Sequence, residues 1–507
     1  MGLKRILILT CFLLLQAGLN AAEMVRLVTD KSVYVAGDFI WCCAVCENGD
    51  DAGKPSAVAY VELVSKDGIA ASAKIALIAG KGSGVLALPA GIPTGNYKLF
   101  AFTALSDRAE VQDITVFNTM SGARVSGGVE ICEDPMPEPV PSRDLPEGIE
   151  LSMSVLGQRT ELTLRNSGNK ARVLCISVAE DDGLRPADCG PQSVLLVPGE
   201  KEEDGEIVRA TVYGKDAGEV VSRPWLVPVI SSPGSAADTY TGVISPDGTI
   251  SFRTNNIYGE RDLVCEIFDY YGESLECFFS PVSPFVFPEG LKFEKMRLSP
   301  SMRSALLARN EALGVSVKTD TLHRFLPKRD NLLLSKEDCV QYHLDDYTRF
   351  NTIDDIIREL IPYARVRNVK GRKSIRFYGN KDDALVMLDG VPVSDHRRLF
   401  AYDALALGDV YVYKDIYVLG KKAFCGIINF VTTRNDMSAL AFDEHVRILD
   451  FRGCSYPLAL NSSALAPSAP AGRTLVWQPY VEIGKGENVR FTMPATSAPL
   501  IIKVKDL

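Results

Sequence analysis

Residues 384–434 of the 507-residue chain read ALVMLDGVPVSDHRRLFAYDALALGDVYVYKDIYVLGKKAFCGIINFVTTR. A short apolar run ends at Asp389-Gly390, a dipeptide typical of tight turns, and Val391-Pro392-Val393 leads away from it in extended form. The later segment GDVYVY alternates polar and apolar residues with the period of a strand. The stretch therefore predicts a compact module of strands joined by turns.

This stretch resembles the plug domain of TonB-dependent outer-membrane receptors, in which a similar DGVPV segment, strand and GIINxxT segment recur. In those receptors the plug lies inside a large barrel. The 73 residues 435–507 are too few for even an eight-stranded barrel, because each membrane strand needs about 9–11 residues. We expect a plug-like α/β domain over residues 346–437 that has no pore of its own.

The residues of this module have two alternative roles. In the first, the strands and their turns are scaffold only. In the second, the loops 389–398 and 411–422 face a partner, because their basic side chains place positive charge on an otherwise acidic protein. The candidate partner-docking residues are Asp389, Gly390, Pro392, Arg397, Arg398, Lys414, Lys421 and Lys422.

The N-terminus has the pattern of a secretory signal peptide. Lys4 and Arg5 precede an apolar run, and small residues follow up to Ala22. A short membrane anchor is the alternative. No other run approaches the roughly 18 apolar residues that span a bilayer. We expect residues 1–22 to direct export through the Sec pathway, and the mature chain to lie in the periplasm or at the outer membrane without a transmembrane segment.

Composition and cysteine usage restrict the partners and cofactors. The net charge of −9 argues against nucleic acid as a partner. Cys42, Cys43 and Cys46 fall in one predicted strand whose side chains alternate between two faces, which is a poor geometry for a tetrahedral metal site. Buried free thiols are expected, and a Cys265–Cys277 disulfide across a predicted hairpin is the open alternative.

The region before the module reads as β-sandwiches in series. The first block resembles the bacterial macroglobulin-type sandwich through Asp30-Lys31, Tyr34, Gly37-Asp38, Gly95-Asn96-Tyr97 and Thr103. A later block resembles the carboxypeptidase-regulatory-like sandwich. The predicted divisions are a macroglobulin-type sandwich over 23–120, a proline-rich linker over 121–147, a second β-sandwich unit over 148–205 and the carboxypeptidase-regulatory-like sandwich over 206–290.

Helical signals appear only in the second half of the chain. Residues 291–345 form a predicted helical connector in which Ser299 caps a helix and Pro300 occupies its first position. The strongest helix pattern follows Thr352, where isoleucines recur at 353, 356, 357 and 361. Residues 438–507 are predicted to form a linker and a small β tail.

Catalytic patterns are weak throughout the chain. Cys189-Gly190-Pro191-Gln192 keeps the Cys-to-Gln spacing of the macroglobulin thioester but has proline where that motif has glutamate. The four histidines form none of the spacings of a hydrolase or metal site. We therefore expect no enzyme activity, no cofactor and no bound metal.

The sequence as a whole predicts a multidomain, mainly β chain in which macroglobulin-like sandwiches precede a small plug-like α/β domain and a β tail. It resembles Gram-negative, Bacteroidetes-type envelope proteins that combine the two domain types. The leading hypothesis is an exported, non-catalytic scaffold or binding protein with envelope proteins as partners. The alternatives are an accessory subunit of a TonB-dependent transporter, engaging an outer-membrane barrel in trans, and a macroglobulin-like protease inhibitor without a thioester.

Overall fold

The computed structural model describes residues 23–47, 53–120, 129–223, 225–234, 238–268, 277–316, 322–324, 339–369, 371–437, 440–442, 444–465 and 471–507. The predicted signal peptide, residues 1–22, lies outside them, as does the first part of the predicted linker. Contacts divide the chain into two units. The first comprises Met1–Gly205, Phe285–Leu326 and Cys454–Leu507, and the second comprises Glu206–Pro284 and Pro327–Gly453.

Strands dominate both units. Those up to residue 205 are β1 (Met24–Thr29), β2 (Val33–Val35), β3 (Phe39–Glu47), β4 (Val58–Ser65), β5 (Gly68–Ala76), β6 (Lys81–Ala87), β7 (Gly95–Phe102), β8 (Arg108–Phe117), β9 (Val129–Ile131), β10 (Ser142–Asp144), β11 (Ile149–Leu156), β12 (Arg159–Asn166), β13 (Arg172–Glu180) and β14 (Gln192–Leu195).

Helices appear among the strands after residue 205. In chain order the elements are β15 (Ile207–Gly214), α1 (Ala217–Ser222), β16 (Val227–Ser232), β17 (Asp238–Ile244), β18 (Thr249–Arg253), β19 (Glu260–Phe268), β20 (Cys277–Pro281), β21 (Met296–Leu298), α2 (Arg303–Ser316), β22 (Leu322–Arg324), β23 (Cys339–His343), α3 (Ile353–Leu360), β24 (Ala364–Val369), β25 (Arg372–Phe377), β26 (Leu385–Leu388), β27 (Val391–Pro392), α4 (His396–Phe400), β28 (Leu407–Leu419), β29 (Lys422–Thr432), β30 (Arg447–Arg452), β31 (Cys454–Ser455), β32 (Leu458–Leu460), β33 (Thr474–Ile483), β34 (Asn488–Pro494) and β35 (Leu500–Asp506).

The first sandwich of unit 1 packs the sheet β1-β3-β6 against the sheet β14-β8-β7-β4-β5-β31. Alternation along β3 sends Ile40, Cys42 and Ala44 into the core between these sheets. Trp41 and Cys43 point the other way and pack in a separate cluster. The predicted division of β3 into two apolar faces is therefore confirmed, and both faces are buried.

The second sandwich of unit 1 is built from two distant parts of the chain. Its sheets are β10-β35-β13-β33 and β11-β12-β34. Strand β13 pairs antiparallel with both β33 and β35, and β12 pairs with β34. The predicted β unit over 148–205 and the predicted β tail are thus not two units, because each part supplies strands that close the other's sheets.

The predicted helical connector is divided between the two units, with residues 291–326 in unit 1 and residues 327–345 in unit 2. Ser299 accepts a hydrogen bond from the Ser301 amide, and Pro300 follows it at the first helical position, as the sequence indicates. The helical segment continues as α2 and packs its apolar residues against Val33, Val35 and Phe117. Arg309 of this helix is buried.

Unit 2 contains a seven-stranded sheet in the order β20-β15-β18-β17-β16-β19-β30 and a five-stranded sheet in the order β23-β28-β29-β26-β27. Thr352 caps α3 by accepting a hydrogen bond from the Asp355 amide at 3.1 Å. The predicted isoleucine stripe of α3 is buried in one core with β26, β28 and β29. Residues 206–290 and 346–437, which were predicted as two domains, lie in the same unit apart from the last few residues of the first range.

The predicted fold class, a mainly β chain with sandwiches and a small α/β part, is confirmed. No helix within the described residues is long and apolar enough to cross a membrane.

Candidate functional site

The Asp389 turn joins the two ends of residues 384–434. Asp389 follows β26 with a φ of 48°, in the left-handed region. Its carboxylate has no exposed surface and accepts hydrogen bonds from the Thr432 amide at 2.7 Å, the Thr432 hydroxyl at 2.6 Å and the Met437 amide at 2.8 Å. The side chain therefore fixes the end of β29 to the end of β26.

Asn429 makes the reciprocal connection. Its amide oxygen accepts a hydrogen bond from the Gly390 amide at 3.0 Å, and the Asp389 amide donates to the Phe430 carbonyl at 2.8 Å. Strands β26 and β29 run parallel, with Met387 opposite Asn429. The DGVPV and GIINFVTT segments thus bond mainly to each other, and their polar residues hold the sheet together.

Asp389, Gly390 and Pro392 are all buried. The prediction that these three residues face a partner is therefore wrong. An Asp-Gly turn normally lies at the surface, but here residues distant in the chain cover it. Strand β29 pairs beside it, and the Gly234 amide and the Thr239 hydroxyl donate hydrogen bonds to the Asp389 and Gly390 carbonyls. The scaffold role is the one that the geometry supports for these three positions.

The two predicted docking arginines lie on α4 and bond locally. Arg397 is exposed and makes a bidentate ion pair with Asp395 at 2.7–3.0 Å. Burial raises the pKa of Asp395, but the hydrogen bonds from Arg397 outweigh it and hold that pKa below its ordinary value. Arg398 is half-buried and donates to the Ala441 carbonyl at 2.5 Å. Part of this positive charge is therefore already neutralised.

The three predicted docking lysines lie on the β28–β29 hairpin. Lys414 is exposed, with its Nζ 3.4 Å from the ring centroid of Tyr363. Lys422 is half-buried, with its Nζ 4.6 Å from the ring centroid of Phe424. Lys421 is exposed beside the turn at Gly420. Of the three, Lys414 extends toward a further basic surface, which was not predicted from the sequence.

That surface is the β24–β25 hairpin together with the tyrosines at its base, here named the basic hairpin (residues 363–378). Tyr363 and Tyr378 face each other across the strands, since the Tyr378 amide donates to the Tyr363 carbonyl at 2.8 Å. The two residues are 46% and 60% exposed. Arg365 and Arg367 follow Tyr363 on the same, outward face of β24 and are also exposed.

Positive charge is concentrated on this outward face. Arg365 lies directly opposite Arg376, an arrangement that destabilises a strand pair unless it is compensated. Asp383 compensates Arg376, whose Nη2 lies 2.7 Å from the carboxylate. Within the described part of the chain Arg365 and Arg367 have no carboxylate partner, and Arg365 lies over the Tyr378 ring at 5.4 Å.

The inward face of the basic hairpin anchors it firmly. Ala364, Ile375 and Phe377 are buried in the same core as α3. The Ile375 amide also donates to His396 Nδ1 at 3.0 Å. Phe377 occupies the space above Gly426, where a Cβ would lie 2.5 Å from the ring. The exposed tyrosines and arginines are therefore presented on a rigid support.

The described cysteines and histidines offer few candidates for a metal site, a disulfide or a catalytic group. In the described residues no group of histidine, cysteine and acidic side chains has the geometry of a metal site. Cys265 and Cys277 are free, so the alternative disulfide is not formed. Cys189 is also a free thiol, and the Gln192 amide bonds to the backbone of Lys292. His396 is buried, whereas His343 pairs at the surface with Asp409.

A sequence signal for the basic hairpin was available. Residues 364–377 read ARVRNVKGRKSIRF, which contains six basic residues and no acidic one in a chain of net charge −9. Such a run usually indicates an anion-binding surface or a solvated face. What the run does not show is that two exposed tyrosines close its base and that Lys414 joins it from β28.

Comparison with known proteins found no matching family model and no matching curated protein. Solved structures of bacterial alpha-2-macroglobulins are similar at a low level. A mutant of the Salmonella protein aligns over 96% of this chain and 39% of its own, at 9% identity and a TM-score of 0.21. The native form of the E. coli protein aligns over 96% and 40%, at 10% identity and a TM-score of 0.21.

The Salmonella protein reacted with methylamine aligns over 94% of this chain and 27% of its own, at 9% identity and a TM-score of 0.17. The chain thus spans less than half the length of each of these structures. TM-scores this low give no basis for transferring a property of these proteins. The macroglobulin-type and plug-like resemblances therefore remain predictions from sequence motifs.

Proposed function

We propose that this chain is an exported, non-catalytic binding protein of the cell envelope, and that its basic hairpin binds an acidic segment of another envelope protein. The observation that carries the proposal is the rigid outward face on which Arg365, Arg367 and Lys414 surround Tyr363 and Tyr378. Two of these cations are arginines without a carboxylate partner among the described residues.

Charge complementarity is the physical basis of this proposal. A chain of net charge −9 repels an acidic partner over most of its surface, so attraction at one basic face orients the encounter. Arginine guanidinium groups bind carboxylates with two hydrogen bonds, and exposed tyrosines add contact area with little loss of side-chain entropy. The arrangement suits an acidic peptide segment that lies along the hairpin.

Export is part of the same proposal and rests on the N-terminal sequence, whose residues lie outside those that the structure describes. Lys4, Arg5 and the apolar run after them are its support. The test of this part is expression of the full chain in a Gram-negative host. We expect recovery without residues 1–22 in the periplasmic or outer-membrane fraction, whereas full-length chain in the cytoplasm would contradict export.

The binding test uses labelled poly-L-glutamate as a defined acidic probe and the chain from residue 23 onward. Fluorescence anisotropy should show binding that weakens as NaCl rises from about 50 to about 300 mM. The reason is that the Debye length shortens over this range, so the charges attract each other less. The R365E/R367E variant should bind at least about tenfold more weakly, since two arginine contacts are replaced by repulsion. The Y363A/Y378A variant keeps every charge and should bind the probe about threefold to tenfold more weakly.

The matched control is R108E/R490E, which changes the net charge by the same amount at two exposed arginines of unit 1. It should bind the probe within about twofold of the unaltered chain, because the charges of the basic hairpin itself do not change. Equal weakening by the control and by R365E/R367E would show a general charge effect, and the basic hairpin would not be the binding site.

The partner itself can be sought in native envelopes by mild cross-linking from the hairpin. We expect an acidic envelope protein to be captured by the unaltered chain and lost with R365E/R367E. Capture of an outer-membrane transporter in this way would identify the chain as a transporter accessory. Capture that is insensitive to R365E/R367E would contradict the proposed surface.

A further inference from the structure

Strand β11 is an edge strand of the second sandwich. It pairs with β12 on one side, in register from Ile149 opposite Asn166 to Leu156 opposite Arg159, and has no neighbour on the other side in its sheet among the described residues. An uncovered edge offers a row of backbone N–H and C=O groups to another strand.

Edge strands usually carry features that prevent such pairing. The longer edge strand β33 of the same sandwich contains Pro479 and pairs irregularly with β13. Strand β11 is eight residues long, pairs with β12 without a register shift, and contains no proline and no lysine. Glu150 is its one charged residue. Apart from Glu150, its edge therefore lacks the usual protective devices.

The apolar residues of β11 become more exposed along the strand. Ile149 is 6% exposed, Leu151 is half-buried, Met153 is 39% exposed and Val155 is 71% exposed. All four point to the same, inward face of the sheet. In an antiparallel pair of two such strands the exposed end of each meets the buried end of the other. The pattern is thus complementary to itself.

We infer that β11 pairs antiparallel with the β11 of a second copy of this chain, with Leu151 opposite Met153 and Ile149 opposite Val155. A two-fold axis perpendicular to the sheet then passes between the two Ser152 residues. Such an interface uses the same patch on both subunits, as closed dimers do. The exposed Met153 and Val155 each gain an apolar neighbour, and Glu150 faces the uncharged Ser154.

Turn geometry supports this register. Leu156 and Arg159 flank the two-residue turn Gly157-Gln158, so they form the hydrogen-bonded pair that closes the hairpin. Because hydrogen-bonded and non-hydrogen-bonded positions alternate along a strand, the N–H and C=O groups of Leu151, Met153 and Val155 point away from β12. The inferred register pairs these outward-pointing residues with one another.

The position of Ser152 makes the inference testable by a disulfide. In the inferred register Ser152 faces its own copy at a non-hydrogen-bonded position, where Cα atoms lie about 4.5 Å apart. That separation is within the range that a disulfide spans. Two copies of Ser154 would instead be offset by about four residues, or about 13 Å, and could not be bridged.

The experiment compares S152C, S154C and the unaltered chain under mild oxidation, using non-reducing electrophoresis and mass spectrometry of the linked peptide. We expect a dimer linked through position 152 at least about fivefold more abundant for S152C than for S154C or for the background from native cysteines. Adding Met153→Lys to S152C should abolish the dimer, because the lysine would oppose Leu151 of the other copy.

Cross-linking is the suitable readout because one strand pair buries little surface, and interfaces under about 1,200 Å² are weak. An S152C dimer no more abundant than that of S154C overturns the inference. So does capture of a different protein by the S152C variant without self-linking, since another chain would then occupy the edge. Adding an excess of the unaltered chain to S152C should reduce the amount of linked dimer, because mixed pairs contain only one cysteine at position 152. That loss would further support self-pairing.

Discussion

Glu62 in β4 of unit 1 and Asp389 after β26 of unit 2 are both carboxylates with no exposed surface. Glu62 accepts one hydrogen bond, from the Val286 amide at 2.9 Å, and its second oxygen has no partner among the described residues. Burial raises the pKa of Glu62 to about 7, although the bond from Val286 acts in the opposite direction. Asp389 accepts three hydrogen bonds from Thr432 and Met437.

The difference shows that the number of donors decides what a buried carboxylate does. Three donors turn Asp389 into a connection between two strands, and breaking that connection leaves several polar groups unpaired. One donor leaves Glu62 poorly solvated in its charged form, so Glu62 makes the stability of unit 1 depend on pH. Substitution by a neutral residue should therefore reduce stability at Asp389 and increase it at Glu62.

The largest effect is expected for Asp389→Ala. The change leaves two backbone amides and one hydroxyl without their acceptor, which should reduce the stability of unit 2 by about 3–5 kcal/mol. Hydrogen exchange of peptides covering β26 and β29 measures this loss. The exposed Asp382→Ala is the matched control and should change exchange little. A loss below about 1 kcal/mol for Asp389→Ala would contradict the three-donor account.

Glu62→Gln should increase the stability of unit 1 at neutral and higher pH. The folded pKa of about 7 lies above the ordinary value of 4.5, so the unfolded chain loses its proton first as pH rises. Stability should therefore fall between about pH 4.5 and about pH 7 and then level off. The glutamine removes this dependence and should stabilise unit 1 by about 2–3 kcal/mol at pH 8.

Urea unfolding at pH 5 and pH 8, with hydrogen exchange of β4, measures the difference between Glu62→Gln and the unaltered chain. The exposed Glu110→Gln is the matched control and should leave the pH dependence in place. If the stability of Glu62→Gln depends on pH as strongly as that of the unaltered chain, a group other than Glu62 causes the pH dependence.

Thr432→Val tests one of the three donors at Asp389. The valine removes the hydroxyl but keeps the backbone amide, so we expect a loss of about 1–2 kcal/mol, well below that of Asp389→Ala. The neighbouring Thr433→Val is exposed and serves as the control. Equal losses for Thr432→Val and Asp389→Ala would show that the hydroxyl alone carries the connection.

The smallest effect is expected for Val286→Pro. Proline has no backbone N–H, so Glu62 would lose the donor that lowers its pKa. The pH at which stability levels off should therefore move to a higher value. Val286→Ala keeps the amide and should leave that pH unchanged. An unchanged value in Val286→Pro would mean that this hydrogen bond does not influence Glu62.

Local patterns in the sequence predicted several elements correctly. The Thr352 cap and the isoleucine stripe predicted α3, and Ser299-Pro300 predicted the start of the helical segment before α2. These features depend on groups a few residues apart, so the sequence contains all that is needed. Alternation along β3 likewise predicted which side chains share a face.

Features that join distant parts of the chain could not be predicted in this way. Strand β12 pairs with β34, more than three hundred residues later, and no local pattern specifies that partner. The predicted docking role of Asp389 failed for the same reason, since the turn is buried by the pairing of β26 with β29 and by bonds from Gly234 and Thr239. The basic hairpin was missed although its charge run was visible in the sequence.

The sequence by itself determined the element types, their caps and turns, and the acidic net charge, because each follows from residues that are close in the chain. The tertiary structure decided that the tail completes the second sandwich, that Asp389 is a connection and not a contact surface, and that Lys414 joins two tyrosines and two arginines on one face. Strand pairing and burial set these outcomes, and both depend on free energies summed over contacts between distant residues.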